Sequence, residues 1–294
     1  MANSFASLKK SRKTDLEKLQ SEVDKINNPK TNFSRDDDRF WKAELDKSGN
    51  GYAVIRFLPA TNGEDMPYVR VFNHGFQGPG GWYIENSLTT IGQKDPLAEY
   101  NSTLWNSGIE ANKEIARKQK RRLTYFSNVY VVEDKANPQN EGKVFLFRYG
   151  KKIFDKVSSM ANPEFEDESP VDVFSLWDGA NFKLKIRKVE GYQNYDKSEF
   201  DKPTQLVEDE TELEKVWNSQ YALTEFTGDD QFKSYEDLKA RLDSVLAVET
   251  PPITEPVSRP VTKPKTAEDV STEDKTTSED DEDMSYFAKL AEDN

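Results

Sequence analysis

Apolar and polar residues alternate in short runs between turn residues over much of the chain, and this pattern predicts a β-rich body. The glycine-rich residues 78–81 predict a turn between two of the runs. In residues 182–187 the alternation is strict, so apolar side chains would face a core and three cations would face solvent. Residues 191–195 are expected to form a loop. The predicted strands are residues 51–59, 68–72, 82–84, 120–132, 142–152 and 182–187.

Helical spacing of apolar residues interrupts these strands. Residues 96–120 carry large apolar side chains every three or four positions, which predicts a helical insertion between strands. Helices are also expected at residues 212–226 and 234–246, and a capping box at Ser234 opens the second. Another capping box at Thr14 opens a short helix near the N-terminus. The pattern therefore predicts a β-rich α+β fold, an antiparallel barrel-like core with helical insertions.

Composition excludes several kinds of chemistry. The 294 residues include no cysteine and one histidine, His74, which excludes disulfide frameworks, cysteine-rich zinc sites and Cys-His nucleophile pairs. No signal-peptide pattern opens the chain, and no apolar run approaches the roughly 20 residues that span a bilayer. We expect a protein of the cell interior with no membrane partner, no cofactor and no catalytic residues.

The net charge of −13 is concentrated at one end of the chain. Residues 1–200 carry 31 Lys and Arg against 29 Asp and Glu, whereas residues 201–294 carry 10 against 25. This layout predicts a basic N-terminal arm and helix (1–35), a core (36–248) and a disordered acidic tail (249–294). Within the tail, the apolar patch at residues 284–290 could fold onto a partner.

The basic run Lys120, Arg121 and Arg122 leads directly into a strand with aromatic side chains, and this mixture suits single-stranded nucleic acid. Cations hold phosphates, and unpaired bases stack on rings at roughly 1 to 3 kcal/mol each. Core packing is the alternative for any single ring. The stacking candidates are Tyr83, Tyr125, Phe126, Phe147, Tyr149, Tyr192 and Tyr195. The phosphate-binding candidates are Arg56, Lys120, Arg121, Arg122, Arg148, Lys151, Lys152, Lys183 and Lys185.

Several longer runs give the chain a specific resemblance to the single-stranded-DNA-binding, helix-destabilising proteins of T-even-type phages. They follow one order over roughly residues 40–200, and they are residues 49–51 with 53–59, 73–76, 82–85, 140–145, 150–152, 170–173 and 179–182. The resemblance implies an oligonucleotide-binding-fold (OB-like) core, a basic arm for cooperative self-association and an acidic partner-binding tail. It links Lys9, Lys10, Arg12, Lys13 and Thr14 to self-association, and Lys120–Arg122 with Thr124 resemble the same basic and hydroxyl-bearing runs.

The function implied by the resemblance is cooperative coating of single-stranded DNA during viral DNA replication, recombination and repair. The expected partners are single-stranded DNA, further copies of the chain, and the phage DNA polymerase, helicase-loading protein, primase-helicase and recombinase. The free protein could be a dimer, and it could repress its own mRNA by binding single-stranded RNA. The implied location is the host cytoplasm.

One feature departs from the family. Its type member binds zinc through one histidine and three cysteines, and His74 lies where the histidine is expected. Residues 86–100, which should supply the thiolates, contain no cysteine. Structural zinc needs four nitrogen or sulfur ligands. We therefore expect no zinc, and a structural role for His74 near a turn.

Two alternatives to DNA coating remain open. A metal-dependent nuclease could hold Mg²⁺ with Asp36, Asp37 and Asp38, although a solvated charged run explains these acids as well. An acidic adaptor would act through its tail, and its core would not bind DNA. A fluorescent oligonucleotide separates coating without cleavage, cleavage in Mg²⁺, and no binding.

Overall fold

The computed structural model describes residues 37–165 and 167–247. The chain divides into two compact units, of which the first ends at Trp41 and the second begins at Lys42. All the helices and strands given below belong to the second unit. The predicted basic arm with its helix and the acidic tail lie outside the described residues.

Eight antiparallel strands form one sheet, which confirms the predicted β-rich body. The strands are β1 (Gly51–Phe57), β2 (Val69–Gly78), β3 (Gly81–Asn86), β4 (Arg122–Glu133), β5 (Val144–Gly150), β6 (Ala180–Val189), β7 (Tyr192–Asn194) and β8 (Glu199–Pro203). The pairing order is β3-β2-β4-β1-β6-β7, with β5 added to β4 and β8 added to β6. The sheet of the described residues is not closed.

The long strand β4 connects the parts of the sheet. Its first half pairs with β2 from Arg122 to Phe126, and its second half pairs with β1 from Val129 to Glu133. Along the opposite edge, residues Thr124 to Tyr130 pair with β5. The backbone donors and acceptors of most of β4 are therefore satisfied by neighbours on both sides.

Helices lie between the strands and after them, but the helix predicted at residues 212–226 ends at Asn218 and is followed by a 3-10 turn at Leu223–Phe226. They are α1 (Pro96–Asn106), α2 (Glu110–Gln119), α3 (Lys151–Ala161), α4 (Glu210–Asn218) and α5 (Tyr235–Leu246). The side chains of Asp95, Asp209 and Ser234 accept hydrogen bonds from the first free amides of α1, α4 and α5. The cap at Ser234 confirms the predicted start of the last helix. None of the helices in the described residues is long and apolar enough to cross a membrane.

Two further local predictions are wrong. The predicted strand at residues 142–152 ends at Gly150, because Ile153 and Val157 are spaced one helical turn apart and are buried on one face of α3. The predicted loop at residues 191–195 contains the short strand β7, which pairs with β6 after a tight turn. Gly191 has a φ of 91° in that turn, a conformation that glycine adopts without strain.

Aromatic side chains fill the interior between the sheet and α3. Phe57 is the centre, with its ring centroid 5.5 Å from that of Tyr149 and 5.7 Å from that of Phe174. Tyr125 stacks on Phe154 of α3 with a centroid separation of 4.1 Å. Side chains of this size dominate the apolar area that a core removes from water.

A second core lies under the β2–β3 hairpin. Phe76 and Tyr83 stack at 5.5 Å between their ring centroids, and leucines from α1 and α5 pack around them. The end of α5 comes so close to the hairpin turn that the Gly80 amide donates to the Val245 carbonyl at 2.8 Å. A Cβ on Gly80 would lie 2.0 Å from the Ser244 carbonyl oxygen, so only glycine allows this approach.

We expect Gly80→Ala to lower the free energy of unfolding by about 2 kcal/mol, because the new methyl group forces α5 away from the hairpin. Gly150→Ala is the matched control, since nothing lies within 4 Å of a Cβ at that position. Urea unfolding of both variants measures the difference. Equal stability of the two variants would contradict the close approach.

Candidate nucleic-acid interface

An exposed apolar and cationic surface covers the outer side of the β2–β3 hairpin. Trp82 is 54 % exposed and Ile84 is 63 % exposed, whereas Tyr83 between them is buried. Strand alternation explains this, because Tyr83 faces the core of the hairpin and its two neighbours face solvent. Large exposed apolar side chains grouped in this way are typical of binding surfaces.

The cross-strand register places a cation on the same face. Trp82 pairs with Gln77, Ile84 pairs with Gly75, and Asn73 pairs with Arg122 of β4. Gly75 has no side chain, and the Arg122 guanidinium lies 3.7 Å from the position that a Cβ would take there. The exposed Arg122 therefore leans across β2 toward Ile84. We call the surface formed by Trp82, Ile84, Gly75 and Arg122 the Trp82 face.

A second cation flanks the Trp82 face at the outer edge of β3. Arg241 of α5 is exposed and donates a hydrogen bond of 2.9 Å from Nη2 to the Trp82 carbonyl. Lys233 pairs with Glu85 of the same strand at 2.7 Å. The tryptophan ring thus has an arginine on each side of its strand, and this arrangement of ring and cations can hold a base and its neighbouring phosphates.

The structure places five of the seven stacking candidates in the interior. They are Tyr83, Tyr125, Phe126, Phe147 and Tyr149. Tyr83 packs under the hairpin and Phe126 lies beneath Phe226, with 4.5 Å between the ring centroids. The other three belong to the aromatic interior, where the Tyr149 hydroxyl also bonds to the Ser127 hydroxyl at 2.9 Å. Because these five rings are buried, they cannot stack on bases in this conformation.

Tyr192 and Tyr195 differ in their environments. Tyr192 is 80 % exposed at the start of β7, so its ring remains open to a base. Tyr195 is half-buried, and its hydroxyl donates to Gln193 Oε1 at 3.0 Å. Burial raises the pKa of Tyr195. Of the two, Tyr192 remains a stacking candidate because its ring is exposed.

Arg56 is a core residue and cannot contact a phosphate from its present position. It is 0 % exposed on β1, where its Nη2 donates to the Thr204 carbonyl. Desolvation by burial lowers the pKa of its guanidinium to about 10, which still leaves it charged at neutral pH. The strand prediction was right, but the side chain faces the packed segment that follows β8.

Four other phosphate candidates already have partners. Lys183 pairs with Asp201 at 2.7 Å, and this contact raises the pKa of the lysine. Lys185 pairs with Glu199 at 2.6 Å, so the predicted cationic face of β6 is largely neutralised. The other two pairs join Lys151 to Asp155 and Arg121 to Thr89, with the Arg121 guanidinium also 3.8 Å above the Phe72 ring.

The remaining phosphate candidates are not in the core. Arg122, Arg148 and Lys152 are exposed, and Lys120 is half-buried at the C-terminal end of α2. Arg122 alone among these belongs to the Trp82 face. The structure therefore brings one of the nine predicted cations next to exposed apolar side chains of the hairpin.

Sequence reasoning missed Trp82, Ile84 and Arg241. The sequence predicts a strand over Trp82-Tyr83-Ile84, and the alternation within it implies that Tyr83 faces away from the other two. Which face is buried depends on α5, which contacts the hairpin from about 160 residues further along the chain. Nothing within the strand itself carries that information.

His74 lies in the middle of β2 and is buried, so the expected position near a turn is wrong. Its Nε2 is 3.5 Å from Asp95 Oδ1, and its Nδ1 is 3.4 Å from the Gln119 carbonyl. Asp95 also accepts from the amides of Leu97 and Ala98. Burial alone would raise the pKa of Asp95, but His74 and these hydrogen bonds outweigh burial and lower it.

The residues around His74 do not fit the zinc site of the family. Asp95 is saturated, because its other oxygen accepts from the Ser87 hydroxyl and the Leu88 amide. In residues 37–165 and 167–247, no group of three or more His, Cys, Asp or Glu side chains could hold a metal ion. One imidazole and one fully engaged carboxylate cannot supply a tetrahedral zinc centre.

The chain is similar to known DNA-binding proteins. A family model described as gp32 DNA binding protein like matches residues 49–246. The single-stranded DNA-binding protein of Enterobacteria phage T2 is 42% identical over 235 residues, which cover 78% of this chain and 76% of that protein. The protein of the same name from Enterobacteria phage T4 gives the same identity and coverage.

We expect a strong chelator to leave the melting temperature and oligonucleotide binding unchanged. In a zinc-dependent fold, metal removal takes away part of the folding free energy. Here Asp95 joins β2 to α1 through its contact with His74 and its hydrogen bonds from the Leu97 and Ala98 amides. Thermal unfolding with and without the chelator measures the effect. A large drop in melting temperature that zinc reverses would overturn this account of His74.

Proposed function

The chain belongs to the gp32-like family of DNA-binding proteins, and from this we propose that it coats single-stranded DNA during phage DNA replication. The family match carries the proposal, because it spans residues 49–246 and thus all the strands and helices given above. Its relatives in phages T2 and T4 are named for single-stranded DNA binding. No reaction is required for such a role.

The Trp82 face is the proposed site of contact. A base can stack on the exposed Trp82 ring, and Arg122 can hold a phosphate through a charge-assisted hydrogen bond. Gly75 has no side chain, so the Arg122 guanidinium can lie across the strand between them. Tyr192 and the exposed Arg148 and Lys152 extend the candidate set beyond the hairpin.

The mechanism we propose is thermodynamic. A protein that binds the open strand and not the duplex lowers the free energy of the open state by mass action. Stacking on rings and neutralisation of phosphates are tolerant of sequence, since every base has a flat face and every nucleotide has a phosphate. Coating of this kind keeps the strand unpaired and accessible to replication enzymes.

Finer features belong to the same proposal. The antiparallel sheet with its inserted helices supports an open oligonucleotide-binding barrel. Residues 1–35 would join neighbouring copies, and residues 249–294 would recruit the phage polymerase, helicase-loading protein, primase-helicase and recombinase. Roles in recombination, repair and repression of its own mRNA, and a location in the host cytoplasm, follow from the resemblance alone.

The nuclease alternative loses part of its support. Asp37, one of its three candidate ligands, is engaged by the guanidinium of Arg39 at 2.9 Å. A titration with fluorescent oligonucleotide in Mg²⁺ distinguishes all three functions. Binding without cleavage supports coating, cleavage supports the nuclease, and the absence of binding supports the adaptor.

We expect Trp82→Ala to weaken binding of a short oligonucleotide about ten-fold, which is the loss of one stacked base. Trp177→Ala is the matched control, because Trp177 is 56 % exposed and lies outside the Trp82 face. Fluorescence anisotropy measures both affinities. If the two variants lose the same affinity, the Trp82 face is not the site of stacking.

We expect Arg122→Ala to weaken binding at low salt and to reduce the slope of log affinity against log salt by about one, because one phosphate contact is lost. Arg187→Ala is the control, since Arg187 is exposed but lies 3.6 Å from Asp196. Titrations at several salt concentrations give the slopes. An unchanged slope for Arg122→Ala would remove this residue from the interface.

Deletion of residues 250–294 should tighten DNA binding at low salt. Residues 266–294 carry 11 acids and 2 bases, so the tail can compete electrostatically for the cations that bind phosphate. The gain should shrink as salt rises and the Debye length falls below about 10 Å. Identical affinities of the full-length and truncated proteins at low salt would leave the tail only its recruiting role.

A further inference from the structure

A second surface that combines a ring with cations lies on the outer side of β1 and β6. Tyr52 is 40 % exposed, and the cross-strand register places it opposite Lys185. Lys183 lies two residues before Lys185 on β6, and strand alternation directs both lysines to the side of Tyr52. Lys135 also lies over the Tyr52 ring, with 5.9 Å between its Nζ and the ring centroid. Groups arranged in this way are suited to a base and its phosphates.

Carboxylates of β8 already bind both of these lysines. Asp201 Oδ2 lies 2.7 Å from Lys183 Nζ. Glu199 Oε1 lies 2.6 Å from Lys185 Nζ. The hydrogen bond from each lysine lowers the pKa of its carboxylate, so both acids are charged at neutral pH. We call the surface formed by Tyr52, the two lysines and the two acids the Tyr52 face.

The strand that carries the acids is fixed by other contacts. Phe200, between the two acids, packs on Phe182 with 4.8 Å between the ring centroids. The Ser198 hydroxyl accepts a hydrogen bond from the Lys185 amide at 2.9 Å and donates one to the Lys185 carbonyl at 3.1 Å. None of these contacts involves the ion pairs. The carboxylates therefore remain beside the lysines even when an ion pair opens.

The neighbouring cations named so far are paired as well. Arg187, the next outward residue of β6, lies 3.6 Å from Asp196. Lys135 lies 2.9 Å from Glu133. A polyanion that approaches this side of the sheet meets a carboxylate at each of these cations, so the attraction of each cation is offset.

The segment as a whole still carries an excess of cations. Residues 180–203 contain six Lys and Arg against four Asp and Glu, a net charge of +2. Lys188, Lys197 and Lys202 are exposed. This excess attracts a polyanion to the segment, and Glu199 and Asp201 separate it from the lysines beside Tyr52. Replacement of both acids by amides would raise the net charge of the segment to +4.

We propose that Glu199 and Asp201 mask the Tyr52 face and thereby keep single-stranded DNA on the Trp82 face. A phosphate that binds Lys183 or Lys185 must displace a carboxylate and then lie beside it, because β8 holds the acid in place. Like charges oppose that arrangement. The two acids thus determine which surface of the sheet the strand uses. With one surface in use, one molecule holds one strand and does not bridge two.

The inference rests on the proposed function, because the excluded ligand is the single-stranded DNA that the protein coats. Its experiments compare variants of the Tyr52 face with one another. Absence of binding by the protein with both acids would contradict the proposed function. Equal binding by the variants would contradict the inference alone, so the two failures are separate results.

The first experiment titrates full-length protein carrying Glu199→Gln and Asp201→Asn, the unmasked variant, with a fluorescent oligonucleotide at several salt concentrations. We expect binding at low salt to tighten at least about five-fold, and the slope of log affinity against log salt to steepen by about 1.4, since two phosphate contacts are gained. The new asparagine can still accept the hydrogen bond that Asp201 Oδ1 takes from the Lys202 amide. Thermal unfolding should be unchanged, because exposed ion pairs contribute little to stability.

The matched control is Glu164→Gln with Asp167→Asn. It removes the same two kinds of acid and the same charge from an exposed loop. Its affinity should change less than about two-fold, because salt screens charges that are remote from the bound strand. An equal gain in both variants would show that net charge alone sets the affinity, and would overturn the proposal. Absence of any gain in the unmasked variant would overturn it as well.

The second experiment adds Lys183→Met and Lys185→Met to the unmasked variant. The gain should disappear, because these lysines are the groups that the acids release. In the protein with both acids, the same lysine changes should alter the salt slope less than half as much, since both charges are paired there. A gain that persists without the lysines, or equal changes of slope in the two proteins, would overturn the proposal.

The third experiment locates the gained contact. Tyr52→Ala should weaken binding by the unmasked variant about ten-fold, which is the loss of one stacked base. It should leave the affinity of the protein with both acids unchanged, because the strand is then on the Trp82 face. Equal losses in the two proteins would show that the acids do not control access to Tyr52, and would overturn the proposal.

Discussion

The pairing of β4 on both of its edges is the constraint on which the rest of the structure depends. A twelve-residue strand in the interior of a sheet must have its amides and carbonyls satisfied along its length, and no single neighbour here does this. β2 and β1 share one edge, and β5 occupies the other. The sheet is therefore divided into two regions. One is the aromatic interior beside β1 and β5, and the other is the hairpin that extends from β2.

The alternation of side chains along β4 then decides which of them are exposed and can contact a ligand. Tyr125 faces the aromatic interior and Phe126 lies on the other face, where Phe226 covers it. Arg122 lies before the stretch of β4 that pairs with β5, and its guanidinium lies over Gly75 of the hairpin. The strand therefore buries the rings of Tyr125 and Phe126 and exposes its first cation, Arg122.

Much of the fold could be predicted from the sequence, because it depends on local patterns. Strand alternation in residues 182–187, the turn at residues 78–81 and the cap at Ser234 are all encoded within a few positions. Whether Trp82 or Tyr83 is buried cannot be predicted from the nearby sequence, because it depends on α5 packing under the hairpin. The nearby sequence also does not show that the cations of β6 are paired, because their partners Glu199 and Asp201 come from a later strand.

Pairing of charges explains why the Trp82 face differs from the other cationic parts of the core. Arg122 and Arg241 lie beside the exposed side chains of the hairpin. On β6, by contrast, Lys183 and Lys185 are paired with Asp201 and Glu199. A cation that is paired with a carboxylate attracts a polyanion less than one that is not, so the net charge of −13 does not decide where a polyanion would approach. The local pairing of each cation does.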